Sequence, residues 1–291
     1  MAFNGNNQWA LILGGSSGIG LATAKKLSSE GLNICIVHRD IRSRMQLAEK
    51  SFEEIRSGGS KLLTYNVDAS NQEVIKELSE TIMQKLGHGK IKVLVHAISK
   101  GNLKSIFPNE KKKKSKGGGD DLVQKFRELD DLMTDHHDKM GVLRESDVTI
   151  TQQAMSSSLI YWCQELLERK LFSDSARVIA LTSEGNKRIW HSYVAIALAK
   201  ASLEALIKYL AKELAPHGIT ANIIQAGITD TPSLRMIPGN EVIRASTVNR
   251  NPFGRLTQPE DVANFIYLIC TDEAAWVNGA LIPVDGGEHF C

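Results

Sequence analysis

Residues 11–20 read LILGGSSGIG: an apolar run that breaks into a loop carrying glycines at 14, 18 and 20. Glycine lets the backbone turn sharply and come close to a pyrophosphate, and a helix starting just beyond offers free N–H groups and a positive dipole end. A glycine triplet alone is weak, because loops are rich in glycine. The weight comes from the flanks. GLATAKKLSSEG continues as an amphipathic helix whose Gly31 suits a left-handed end, and a second apolar run, NICIV (33–37), follows at once. The triplet therefore sits at a strand-to-helix junction and reads as a dinucleotide-binding turn. Gly14, Ser16, Ser17, Gly18, Ile19 and Gly20 are its expected contacts.

The same alternation runs outward along the chain. WALIL (9–13), NICIV (33–37), KLLTY (61–65), IKVLVHA (91–97), ARVIALTS (176–183), ITANIIQ (219–225) and ALIPV (280–284) are continuously apolar rather than alternating. That is expected of strands covered on both faces. Strand and helix in turn predict an α/β chain: one doubly wound Rossmann-type domain over 1–291, with about seven parallel strands and helices on both faces. With 291 residues and 42% hydrophobic content, the chain is long enough for one large core. A net charge of +2 gives no electrostatic case for nucleic acid or membrane, and no segment approaches the ~18 apolar residues of a membrane helix. The four cysteines are scattered, and the opening MAFNGNNQWALILGG has neither a basic start nor an apolar stretch long enough for a signal peptide. These features predict a soluble, cytoplasmic protein.

Residues 108–147 interrupt the pattern. PNEKKKKSKGGGDD is charged and glycine-rich, and the next segment places Leu122, Phe126, Leu129 and Met133 on one helical face. This reads as an insertion after the fourth strand. Its lysines, Lys111–Lys114 and Lys116, suit either a solvated loop or an acidic carrier protein. His136 and His137 are adjacent and diverge on a helix, so no metal site is expected.

The end of the second strand should choose the cofactor, since an acid there binds ribose hydroxyls and repels a 2′-phosphate. The sequence is VHRDIRSR (37–44), with His38 and Arg39 arriving first and Arg42 and Arg44 following. NADPH is favoured, and Asp40 keeps NADH open. Asp68, in YNVDAS, is either an adenine-edge contact or a turn residue. His96, ending the fourth strand, reads as a packing residue. In SYVAIALAK (192–200), Tyr193 and Lys200 are seven apart on an expected helix and share a face, while Ile196 fills the position four before the lysine.

In this order, G-x3-G-I-G, Asp68, a serine ending the fifth strand (Ser183), the Tyr/Lys helix and VDGG resemble the short-chain dehydrogenase/reductase superfamily across nearly the whole chain outside 108–147. LVHAIS (94–99), QAGITDT (225–231), MSSS (155–158) and Tyr-x6-Lys are more similar to its enoyl-acyl-carrier-protein reductase branch, in particular an NADPH-dependent subgroup that pairs serine with this spacing. The resemblance implies reduction of the 2,3 double bond of trans-2-enoyl thioesters in fatty acid synthesis. Tyr193 would stabilise the enolate oxygen, Lys200 would bind the nicotinamide ribose, and Ser183 would orient the thioester or only cap its strand. Ala97, Gly227 and Thr229 would be further cofactor contacts. The substrate would be carried on acyl carrier protein or coenzyme A, and the assembly would be a homotetramer. Two departures stand out: Gln152-Gln153-Ala154 replaces an asparagine of many relatives, and Ser183 stands where many enoyl reductases have a second tyrosine. A 3-oxoacyl or dienoyl thioester reductase, or a non-catalytic NADPH-binding regulatory protein, is the alternative.

Overall fold

The computed structural model describes Phe3 and residues 7–108, 141–237 and 239–291. The expected lysine run, the helix bearing Leu122 to Met133, and His136 and His137 all lie outside the described residues. Seven strands form one parallel sheet: β1 (Gln8–Leu13), β2 (Asn33–His38), β3 (Leu62–Asn66), β4 (Lys90–His96), β5 (Phe172–Thr182), β6 (Thr220–Ala226) and β7 (Leu281–Val284). The order across the sheet is β3-β2-β1-β4-β5-β6-β7. The chain winds outward from β1 in one direction and then, from β4, in the other. Such a reversal opens a ligand crevice at the carboxyl ends of the strands beside it.

The helices between strands are α1 (Gly18–Ser29), α2 (Arg42–Ser57), α3 (Gln72–Leu86), α4 (Glu145–Gln152), α5 (Ser158–Glu168), α6 (Val194–Leu214), α7 (Pro232–Arg235), α8 (Asn240–Arg250) and α9 (Pro259–Ile269). Helix α3 illustrates how sequence sets an element. Asn71 caps its start by accepting from Val74 N at 3.1 Å, Gly87 ends it with φ +58°, and Ile75, Leu78, Ile82 and Leu86 bury one stripe. Burying each such side chain stabilises the fold by about 1.5–3 kcal/mol.

Every residue of NICIVH in β2 is buried, so the uninterrupted apolar run is matched by cover on both faces. One layer, around Leu11, Leu94, Trp162 and Leu203, packs α3, α5 and α6; the other, around Ile12, Phe52, Val95 and Ile266, packs α1, α2 and α9. Strand β5 starts at Phe172, four residues before the apolar run, because Phe172 pairs with Ile91 ahead of a register shift. Helices α4 and α5 are one rod joined by a π-helical turn, Gln153–Ser157. Its start at Glu145 means that residues 145–147, at the tail of the expected insertion, already belong to that rod. Among the described residues, no helix is long and apolar enough to cross a membrane.

Candidate active site

The glycine turn meets the loops after β4 and β6 at the crevice. Gly14 has φ +89°, and a Cβ there would lie 2.7 Å from the Ala97 carbonyl oxygen; a Cβ on Gly20 would lie 2.2 Å from the carbonyl oxygen of Gly14. No side chain fits at either position, so the backbone is kept bare where a pyrophosphate would approach. Ala97 N donates to Leu13 O at 2.8 Å, fixing the β4 loop against the turn. Gly18 has φ +55° and faces Thr231. Ser17 precedes α1 in extended conformation without a side-chain cap, which leaves first-turn N–H groups of α1 for an anion. Ser16 lies in the same turn, and Ile19 turns toward the core, accepting Thr23 Oγ1 at its carbonyl. At β6, a Cβ on Gly227 would fall 2.4 Å from Thr257 Oγ1, and Thr229 Oγ1 donates to Gly227 O at 2.8 Å. This bare cradle fits a dinucleotide.

At the other end of the crevice, β2 ends at His38. His38 is buried, meets the Phe52 ring at a tilt, and pairs through Nδ1 with Asp40 Oδ2 at 2.8 Å. Asp40 is folded inward by that bond, and its own N–H donates to Asn66 Oδ1 at 2.9 Å. Arg39, in contrast, is 62% exposed. Asp68 has both oxygens engaged: Oδ1 accepts from Ser70 N (3.0 Å) and Oγ (2.6 Å), while Oδ2 accepts from Arg39 Nη1 (3.1 Å) and Lys100 Nζ (2.9 Å). Burial pushes its pKa up, but the bonds from Ser70 and Lys100 together outweigh this and hold it at about 2. This is the geometry of a turn residue that also gathers cations.

Ser183, Tyr193 and Lys200 come together at the end of β5 and the start of α6. Tyr193 is the N-cap of α6 rather than an interior residue, yet its carbonyl accepts Ala197 N at 2.9 Å, so the helical register with Lys200 holds. The preceding Ser192 has φ +59°, strained for a non-glycine residue. Burial raises the Tyr193 pKa and the nearby Ser183 hydroxyl opposes that rise. The Ser183 hydroxyl is buried beside that of Tyr193 and has no other hydrogen-bond partner among the described residues. Lys200 is buried and donates to Leu181 O at 2.6 Å. Burial lowers its pKa to about 8, with Glu204 pulling the other way. His96 is also buried, bonded to Ser158 Oγ at 2.9 Å, and held at about 3 by burial and by Lys200, so it is neutral packing.

The structure surrounds the candidate residues with contacts that the sequence did not show. Ile196, Met155, Ala154 and Ala199 form a small apolar cluster against which Ile98, Leu103 and Tyr193 pack. Gly185 lies flat on the Tyr193 ring. Ser105 Oγ joins Ser192 Oγ (2.8 Å) and His191 Nε2 (3.0 Å), tying the β4 loop to the tyrosine loop. Arg250 binds Glu184 (2.6 and 3.2 Å) and Glu288 (2.5 Å), and Glu288 accepts Ile228 N at 3.1 Å. The glycine following Ser183 in SEGN was the one local signal; the other partners are far apart in sequence. Among the described residues no cluster of His, Cys, Asp and Glu could hold a metal ion.

Comparison with known proteins agrees with this geometry. The family described as Enoyl-(Acyl carrier protein) reductase matches residues 126–289, and the short chain dehydrogenase family matches residues 8–112. The chain is 28% identical to the NADPH enoyl-acyl-carrier-protein reductase of Staphylococcus aureus, over 93% of this chain and 91% of the relative. It is 24% identical to the 1-cyclohexenylcarbonyl-CoA reductase of Streptomyces collinus, over 96% of this chain and 86% of that one. The crystal structure of the NADH enoyl-acyl-carrier-protein reductase of Aquifex aeolicus superposes with a TM-score of 0.73 at 26% identity, covering 99% of both chains. With the sheet, the glycine turn and these matches in place, the chain belongs to the short-chain dehydrogenase/reductase superfamily of oxidoreductases, in the branch of the enoyl-acyl-carrier-protein reductases.

Proposed function

We propose that the protein is an NADPH-dependent reductase of the 2,3 double bond of trans-2-enoyl thioesters, carried on acyl carrier protein or coenzyme A, and that it serves fatty acid synthesis as a cytoplasmic homotetramer. The observation that carries this reading is the placement of Tyr193 beside an apolar wall, with Ile196 filling the position four residues before Lys200. A tyrosine three residues earlier is displaced by about 4.5 Å along a helix. An enoyl thioester accepts hydride two carbons from its oxygen-bearing carbon, so the group that meets the oxygen must be displaced from where a ketone would need it. Bound NADPH would supply that hydride at C3, and uptake of a solvent proton at C2 would complete the saturation.

The remaining steps belong to the protein. The Tyr193 hydroxyl donates to the thioester oxygen as negative charge develops there, and its raised pKa keeps the proton in place at neutral pH. Lys200 holds the nicotinamide ribose and adds a positive charge below the tyrosine. The Ser183 hydroxyl, beside that of Tyr193, orients the thioester. The Ile196–Met155 wall receives the acyl chain and excludes water. Gly14, Gly18, Gly20, Ala97, Gly227 and Thr229 form the cradle for the nucleotide. NADPH is preferred because Asp40, the residue that would take ribose hydroxyls, is turned inward onto His38 while Arg39 stands in solvent.

Ser183 also favours a second reading, 3-oxoacyl thioester reduction. The two separate when NADPH oxidation is followed by absorbance with crotonyl and with acetoacetyl thioesters. Turnover of crotonyl alone supports the enoyl reading, turnover of acetoacetyl alone replaces it with the second, and consumption with neither removes both.

A further inference from the structure

Lys100 lies four residues beyond β4, and Asp68 two beyond β3. In the sheet, β2 and β1 lie between those strands, a span of about 14 Å at ordinary strand spacing. The 2.9 Å bond from Lys100 Nζ to Asp68 Oδ2 therefore passes over the carboxyl ends of β2 and β1, where the crevice opens. Arg39, one residue beyond β2, reaches the same oxygen at 3.1 Å. Two cations thus share one acceptor atom above the adenosine end of the cleft. Among the described residues, the neighbouring acid Asp40 is committed to His38. Lys100 and Arg39 are 40% and 62% exposed, so both side chains are free to swing.

We infer that Lys100 is a second cofactor-specificity residue, acting with Arg39 on the 2′-phosphate, and that Asp68 holds the two cations across the crevice until that phosphate displaces it. The inference rests on the NADPH reading above and deepens it. A dianionic phosphate offers several acceptor oxygens to replace the single one that the cations give up. A dinucleotide without the phosphate must open the same bridge and returns nothing to Lys100. Selectivity is then a difference between the two exchanges, with an attractive element for one ligand and an uncompensated loss for the other. The sequence did not mark this lysine, because it stands in an unremarkable loop, 32 residues from Asp68.

The test is titration calorimetry with two probes, adenosine 2′,5′-bisphosphate and adenosine 5′-monophosphate, on wild type, Lys100→Ala and Arg39→Ala. Wild type binds the bisphosphate more tightly. A charge-assisted bond discounted for exposure corresponds to about a tenfold effect, so Lys100→Ala weakens the bisphosphate about tenfold and shifts the monophosphate less than about twofold. The salt dependence of bisphosphate binding becomes shallower in the variant. If Lys100→Ala keeps the full wild-type preference, or weakens both probes equally, Lys100 is not a selector, while the NADPH reading stands through Arg39. If wild type binds both probes equally, the NADPH reading itself falls, and the role of Lys100 with it.

Discussion

Replacing Gly185 by alanine tests how tightly the tyrosine is held. A Cβ at this position would lie 2.4 Å from Tyr193 Cε1, 3.0 Å from Cδ1 and 3.1 Å from Cζ. Ordinary contact begins at 3.4 Å, so ring and loop must separate by about 1 Å. The ring cannot retreat freely, because it also packs on the cluster of Ile196 and Met155. Overpacking of this kind costs about 1–3 kcal/mol of stability, which leaves a folded protein for study. A misplacement of about 1 Å at a reacting group lowers the rate by about 10²-fold. The assay is kcat on a saturating 2-enoyl thioester, with cofactor affinity measured in parallel. Gly185→Ala lowers kcat by about that factor and leaves NADPH affinity within about twofold, since in the proposed function the ring faces the thioester. In a Tyr193→Phe background the same substitution has little further effect, because the hydrogen bond it misaligns is already gone. A Gly185→Ala protein with wild-type kcat would refute the idea that the ring position matters.

Two other perturbations follow from buried charge. Lys200, lowered by burial to about 8, is protonated below that pH and loses its proton above it, so kcat/KM falls as pH rises through about 8; Lys200→Arg moves this limb to higher pH. The same shift means that the unfolded chain holds the extra proton between about 8 and 10.5, so the Lys200 contribution makes the wild type gain stability with rising pH in that window, readable in urea titrations. Arg250→Met takes the cation from Glu288 and leaves Glu184 only Arg188 at 3.8 Å, which costs about 3–5 kcal/mol in urea denaturation; adding Glu288→Gln recovers part of it.

The strands were legible because β1 and β2 are largely apolar and β4 and β6 carry apolar stretches at Val93–Val95 and Ile223–Ile224, and a buried parallel strand needs no alternation. The start of β5 was not, because SDS at 173–175 is polar and only pairing with β4 recruits Phe172. The register of Tyr193 and Lys200 was legible from helical periodicity alone. The orientations at the β2 end were not, since Arg39 and Asp40 are neighbours in sequence and only the fold turns Asp40 onto His38 while Arg39 stays exposed. The ties around the tyrosine were equally hidden. Ser105 and Ser192 are 87 residues apart, and Glu184 and Arg250 are 66 apart, so no local pattern announces either.

The claim at the centre of this account is that the Tyr193 hydroxyl stabilises charge on a thioester oxygen. Its direct measurement is saturating kcat on a 2-enoyl thioester for wild type and Tyr193→Phe, with NADPH affinity determined for both. Tyr193→Phe loses about 10²–10³ in kcat with affinity unchanged. A Tyr193→Phe protein that turns over as fast as wild type would contradict it, and would leave Tyr193 as a packing residue against Gly185 and Ile196.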